Sequence, residues 1–164
     1  MDEERVVEQV LGIFALNGVE YMTHENKRLF LVPNGSARVF VDVHELSDQP
    51  VVSMRAFLLE QVDISGDRRQ EILEELNQRN LELSFGKLYC NFETQTIIVE
   101  YDLFATDLQA VELMAALGLI ISMADGLDDE LSQKLGTGVK ALDAWNAAKG
   151  NATETAGTGP VVSV

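Results

Sequence analysis

Between Val19 and Val62 apolar residues recur at every second position, while the segments on either side repeat at helical spacing, and this change of period narrows the possible folds more than any other feature. Ala37, Val39, Val41 and Val43 alternate with Arg38, Phe40, Asp42 and His44, the pattern of a strand buried on one side. A strand at Arg28–Val32 precedes it across Asn34-Gly35, a dipeptide suited to a type I′ hairpin turn, where both central residues need positive φ. Ser47-Asp48-Gln49-Pro50 reads as a second turn, and Val51–Leu59 as a strand apolar on both faces. A short strand around Glu20–Thr23 completes a meander of three or four antiparallel strands.

Helical period governs residues 2–17, where Val6, Val10 and Ile13 recur beside Val7, Leu11 and Phe14. Asp2, Glu3 and Glu4 place negative charge at the positive end of this helix, and Asn17-Gly18 stops it. After Ser65-Gly66-Asp67 a second helix is expected, opened by a capping box of Asp67 and Gln70 and carrying Ile72, Leu73 and Leu76 inward until about Asn80. Two strands follow, Leu83–Cys90 and Thr96–Phe104, and then a capping box of Thr106 and Gln109 opens a long helix. Leu113–Met123 is apolar on all sides, so one flank needs cover from the first helix, the last helix or a second subunit; a dimer is the reading preferred here. The helix continues, with or without a kink at Gly126, through Leu127, Leu131 and Leu135. A short last helix, about Val139–Lys149, offers Leu142 and Trp145 for docking, and residues 150–164 lose all period and read as a disordered tail. The fold class is thus α+β: an antiparallel sheet in α-β-β-β-α-β-β-α order with helices packed on it. The domain spans residues 1–136, and 137–149 form the C-terminal helix packing on or near it.

The charge balance limits partners. The 164 residues carry 27 acidic and 12 basic side chains, a formal charge of −15, which repels phosphate backbones and anionic membranes and attracts a basic or amphipathic segment. The surplus carboxylates also serve plain solubility. The start Met1-Asp2-Glu3-Glu4-Arg5 is acidic where a signal peptide needs positive charge, and the uncharged stretch Leu113–Ala124 is 12 residues long, short of a bilayer span. Cys90 is the single cysteine, so a reducing, cytoplasmic setting is expected. No nucleic-acid, membrane or cofactor role is expected.

Catalytic patterns are weak. His24-Glu25 and His44-Glu45 lack the His-Glu-x-x-His spacing of a helical zinc site. Cys90, between Tyr89 and Asn91, has no adjacent cation in sequence to lower its pKa. Gly136-Thr137-Gly138-Val139-Lys140 lacks the full phosphate-loop spacing, and Asp125-Gly126-Leu127-Asp128-Asp129-Glu130 does not fit a calcium loop. Asn77 and Asn80 lie near a helix end, where amides satisfy orphan carbonyls or cap a turn, and contact with a partner is the alternative. Gly86 in a strand marks a bulge or a close approach of another backbone, with packing by the long helix the plainer explanation.

The run Ile72-Leu73-Glu74-Glu75-Leu76-Asn77-Gln78-Arg79-Asn80, followed by Leu83-Ser84-Phe85-Gly86-Lys87-Leu88-Tyr89, resembles the central segment of the YbjN family. The wider group is similar to type III secretion chaperones, and the resemblance covers roughly residues 5–135. It implies peptide binding by a homodimer that holds an extended segment of another polypeptide against apolar grooves on sheet and helices. YbjN-like proteins are also described as regulators of sensory transduction, a label that fixes no chemistry. The sequence therefore reads as a non-catalytic, chaperone-like or adaptor module, with Phe30, Phe40 and Met54 as peptide-binding candidates. The alternatives are a regulatory or assembly protein that binds one folded partner, and an enzyme with an unrecognised carboxylate site.

Overall fold

The structure is a computed structural model that describes residues 3–23 and 27–155, apart from the side chains of 149–155. Its elements run α1 (Glu3–Leu16), β1 (Met22–Thr23), β2 (Leu29–Asn34), β3 (Ala37–Leu46), β4 (Gln49–Glu60), α2 (Arg68–Glu82), β5 (Lys87–Asn91), β6 (Thr96–Phe104), α3 (Ala110–Leu135), β7 (Val139–Lys140) and α4 (Ala141–Thr155). The strands form one antiparallel sheet in the order β1-β2-β3-β4-β6-β5, with β7 added to β4. This is the expected α+β architecture, with β1 confirming the four-strand form of the meander.

Alternation along β3 decides which side is dry. Ala37, Val39, Val41 and Val43 are buried, while Phe40 and Asp42 between them are half-buried. Register carries the same side across β4 and β6: Val41 pairs with Met54, and Met54 with Tyr101. Onto this side pack α1, through Val6, Val10, Ile13 and Phe14, and α3, through Leu113, Leu117, Ile120 and Leu131. The second helix, α2, lies beside β5 and buries Ile72 and Leu76.

Several local expectations change. The β2–β3 turn is Gly35-Ser36, because Asn34 pairs with Ala37, and only Gly35 has positive φ (55°). Ser47 (φ 51°) and Asp48 (φ 63°) instead form the two-residue loop with both φ positive. Asp67 adopts helical dihedrals with no side-chain cap, and Gln70 bonds Glu74 rather than closing a box. The box that forms lies three residues beyond Thr106, between Gln109 and Glu112. Leu73, expected inside, is 49% exposed.

The long helix also differs from expectation. One flank is buried, while the opposite one presents Val111, Ala115, Gly118 and Ser122 to the outside. Small residues on that flank make the helix look apolar all round in sequence, yet cost little in water, so the pattern does not itself require a second subunit. By length and mean hydropathy α3 would suit a membrane span, but its largest apolar residues pack on the sheet. The last helix runs from Ala141 to Thr155, into residues expected to belong to the tail; 156–164 lie outside the described residues.

Candidate peptide groove

Asn17-Gly18 stops α1 as expected. Gly18 takes φ 66°, Asn17 Nδ2 donates to Ile13 O (2.8 Å), and Val19 N–H donates to Phe14 O (3.0 Å). The chain then turns toward the sheet through three packed rings: Phe14, Tyr21 and Phe30 have centroids 5.7–6.5 Å apart. β1 pairs only with Leu31 and Phe30, so Val32, Pro33 and Asn34 of β2 have no strand beside them on that edge among the described residues. A proline tolerates such an edge because it has no N–H to donate. Across the gap runs α3, presenting Met114, Leu117, Gly118 and Ile121.

These three elements enclose a groove of about 430 Å³ lined by residues 17–20, Val32–Asn34 and that stretch of α3. Glu20 is its one charged lining residue among the described residues. A Cβ on Gly118 would meet nothing within 4 Å, so the helix leaves open space there. The mixture of an unpaired strand edge and apolar walls suits an extended segment, whose main chain meets the edge while alternate side chains enter the walls.

The opposite face of the sheet is chemically different. A cavity of about 360 Å³ is lined by Asp42, His44, Leu46, Val51, Ser53, Arg55, Lys87, Glu100 and Asp102. Register sets Lys87 against Glu100 and Glu100 against Arg55, and Arg55 also reaches Asp42 at 3.5 Å. Ser53 Oγ donates to Asp102 Oδ1 (2.5 Å) and Lys87 Nζ to Asp102 Oδ2 (3.0 Å). Burial alone would raise the Asp102 pKa, but these bonds outweigh it and hold it below the ordinary value. Burial likewise opposes the Lys87 charge, and Asp102 and Glu100 together push its pKa up. Burial first, and then Glu100, push the Tyr89 hydroxyl up to about 12. Lys87 pairs with Glu100 and Asp102, and Arg55 with Asp42, while Arg55 Nε and His44 Nδ1 are buried without a hydrogen-bond partner among the described residues.

Of the residues singled out from sequence, Phe30 and Met54 are fully buried under the helices, which removes them from any groove surface. Phe40 is half-buried on the opposite face, edge-on to Phe57 at 5.3 Å. Asn80 does not cap its own helix. Its amide donates to Leu88 O (2.9 Å) and accepts from Leu88 N–H (2.8 Å), tying α2 to the edge strand β5. Asn77 is exposed on α2. Gly86 (φ 76°) precedes β5, and a Cβ there would lie 3.1 Å from Glu100 O, so the close neighbour is the β6 backbone, with Met123 of α3 next at 3.6 Å. The Cys90 thiol is pushed up by burial, Arg69 opposing. His44 lies 3.4 Å from Asp42; His24 and Glu25 are outside the described residues. The groove residues escaped the sequence reading because they come from three distant segments.

Residues 3–144 match the model of the type III secretion (YopN, CesT) and YbjN peptide-binding chaperones, the family described as peptide-binding chaperone 1. The chain belongs to this family. Among solved structures the fold is similar to a chain of the HopA1–SchA chaperone–effector complex (TM-score 0.57, 9% identity, covering 79% of this chain and 98% of that one). It is also similar to YbjN from E. coli (TM-score 0.53, 11% identity, 87% and 92% covered) and to a chain of the ExsC–ExsE complex (TM-score 0.52, 12% identity, 79% and 96% covered). No curated protein matches the sequence. The chaperone is thus a protein-binding module by family, and its fold is that of these structures.

Proposed function

We propose that this chaperone holds an extended, apolar and basic segment of another polypeptide in the groove between the end of α1, the free edge of β2 and α3. The observation that carries the reading is the unpaired run Val32–Asn34 facing Met114, Leu117 and Ile121 across open space. Glu20 in the wall and the net charge of −15 favour lysine or arginine on the bound segment. Chaperone–effector complexes among the structural neighbours support a polypeptide partner. The function is binding rather than catalysis, in keeping with paired charges on the open sheet face and a Cys90 thiol raised by burial. A half-buried lone cysteine suits work in the cytoplasm. A homodimer is assigned to the outer side of α2, where Leu73 and Leu81 are 49% and 74% exposed, one on either side of Asn77.

The groove is tested with a fluorescein-labelled nonapeptide of alternating valine and lysine, titrated by anisotropy. Gly118→Lys places an ammonium in open space, where it repels a basic segment, and replaces a mid-helix glycine with a better helix former, so the fold is preserved. Binding is expected to weaken at least ~10-fold in this variant, about 1.4 kcal/mol. Unchanged binding would remove the groove from the reading.

A further inference from the structure

β3 leaves its neighbour early. Its last pair with β4 at that end is Val39 with Ala56, and β4 then shifts register between Phe57 and Leu59. The edge of β4 beyond that bulge would be open, but β7 occupies it, pairing Leu59 with Lys140 and Glu60 with Val139. Beneath lie Leu59 and Val62, both 0% exposed. Gly138 makes the seal close: at φ 84° a Cβ would stand 3.2 Å from Leu59 Cβ and from Val62 Cγ2.

The arm that makes this seal is lightly held. β7 is two residues long, and none of residues 141–148 of α4 is fully buried. Its further ties include an ion pair of Lys140 with Asp129, the 4.0 Å approach of Lys140 to Asp128, and the hydrogen bond from Asp63 N–H to Thr137 Oγ1 (2.8 Å). A short strand with few buried side chains opens at far lower cost than the sheet beneath it. What it covers is a strand edge flanked by apolar side chains, the same combination found in the groove.

We propose that β7 and α4 form a displaceable strap, and that an extended segment of the bound polypeptide takes the place of β7 on the β4 edge at Leu59–Glu60. This second slot rests on the peptide-binding reading above and would let one chaperone hold a client at two separated points.

Two measurements decide it. Hydrogen exchange on the full chain should show amides of 139–148 exchanging at least ~100-fold faster than those at the centre of β3 and β4. Equal protection would overturn the strap, whatever the protein binds. The second uses Glu60→Cys with Val139→Cys in a Cys90→Ala, Gly118→Lys background, so that a disulfide closes the strap while the groove is blocked. The valine–lysine nonapeptide should bind the reduced form and lose at least ~10-fold in affinity on oxidation. Equal binding by both forms, or none by the reduced form while the Gly118-bearing protein binds, overturns the slot and leaves the groove standing. Absence of binding even by the wild type overturns the groove and the competition together, and exchange still reports whether the arm opens. Lys140→Glu, which faces Asp128 and Asp129 with like charge, should speed exchange of 139–148 further; no change would contradict a strap held by these pairs.

Discussion

The two faces of the sheet share the same strands and differ in nearly everything else. On the covered face Val39, Val41, Met54 and Val99 are fully buried in the hydrophobic core. On the open face the residues between them, Phe40, Asp42, Arg55 and Glu100, form a ladder of an aromatic pair and alternating charges. One residue of shift exchanges the two sets, so register is fixed by the covered face, while the open face tolerates change. The open face also carries Leu46 and Phe104, 54% and 69% exposed. The groove lies at the margin, where the sheet stops and α3 continues past it.

The comparison breaks first at its largest expected effect. Met54→Ala on the covered face should cost about 2–5 kcal/mol in chemical denaturation, since it leaves a cavity under α3. Phe40→Ala, losing its half-buried contact with Phe57, should cost clearly less; the reverse order would mean the faces are wrongly assigned. Asn80→Ala strands the N–H and C=O of Leu88 and should cost about 1–3 kcal/mol, with faster amide exchange confined to β5 and the end of α2. Smallest is the charged ladder: Lys87→Met should change stability at neutral pH by about 0–1 kcal/mol, because Lys87 is largely exposed.

Asp102 adds a pH signature to the open face. Its folded pKa lies below the ordinary value, so its contribution is present above about pH 4 and is lost as pH falls through the folded pKa. Denaturation midpoints of Asp102→Asn should therefore show a shallower acid limb than the wild type. An unchanged slope would show that Ser53 and Lys87 do not stabilise the carboxylate.

Much of this architecture is legible in the sequence because β3 alternates cleanly and α1 stops at Asn17-Gly18. β2 and β4 are harder. Leu29-Phe30-Leu31-Val32 and Val51–Leu59 are apolar on both sides, so nothing local tells which residues face the helices, and Phe30 and Met54 fall inside rather than on a surface. Pairing with β3 settles it, and pairing is a long-range property. The capping boxes fail for a related reason: Thr106 instead bonds Gln49, 57 residues away, and the helix starts after Gln109. The groove is invisible locally, though Pro33 at a strand end and small residues on α3 were its signals. At two residues, β7 is too short for any period.

The claim that the groove, not the open sheet face, receives the client is tested most directly by exchange footprinting with the valine–lysine nonapeptide. Protection is expected at the amides of 17–20, Val32, Asn34 and 114–121, with those of 42–55 and 98–102 unchanged. Protection centred on Asp42, Arg55 and Asp102, with the groove unaffected, would contradict the account.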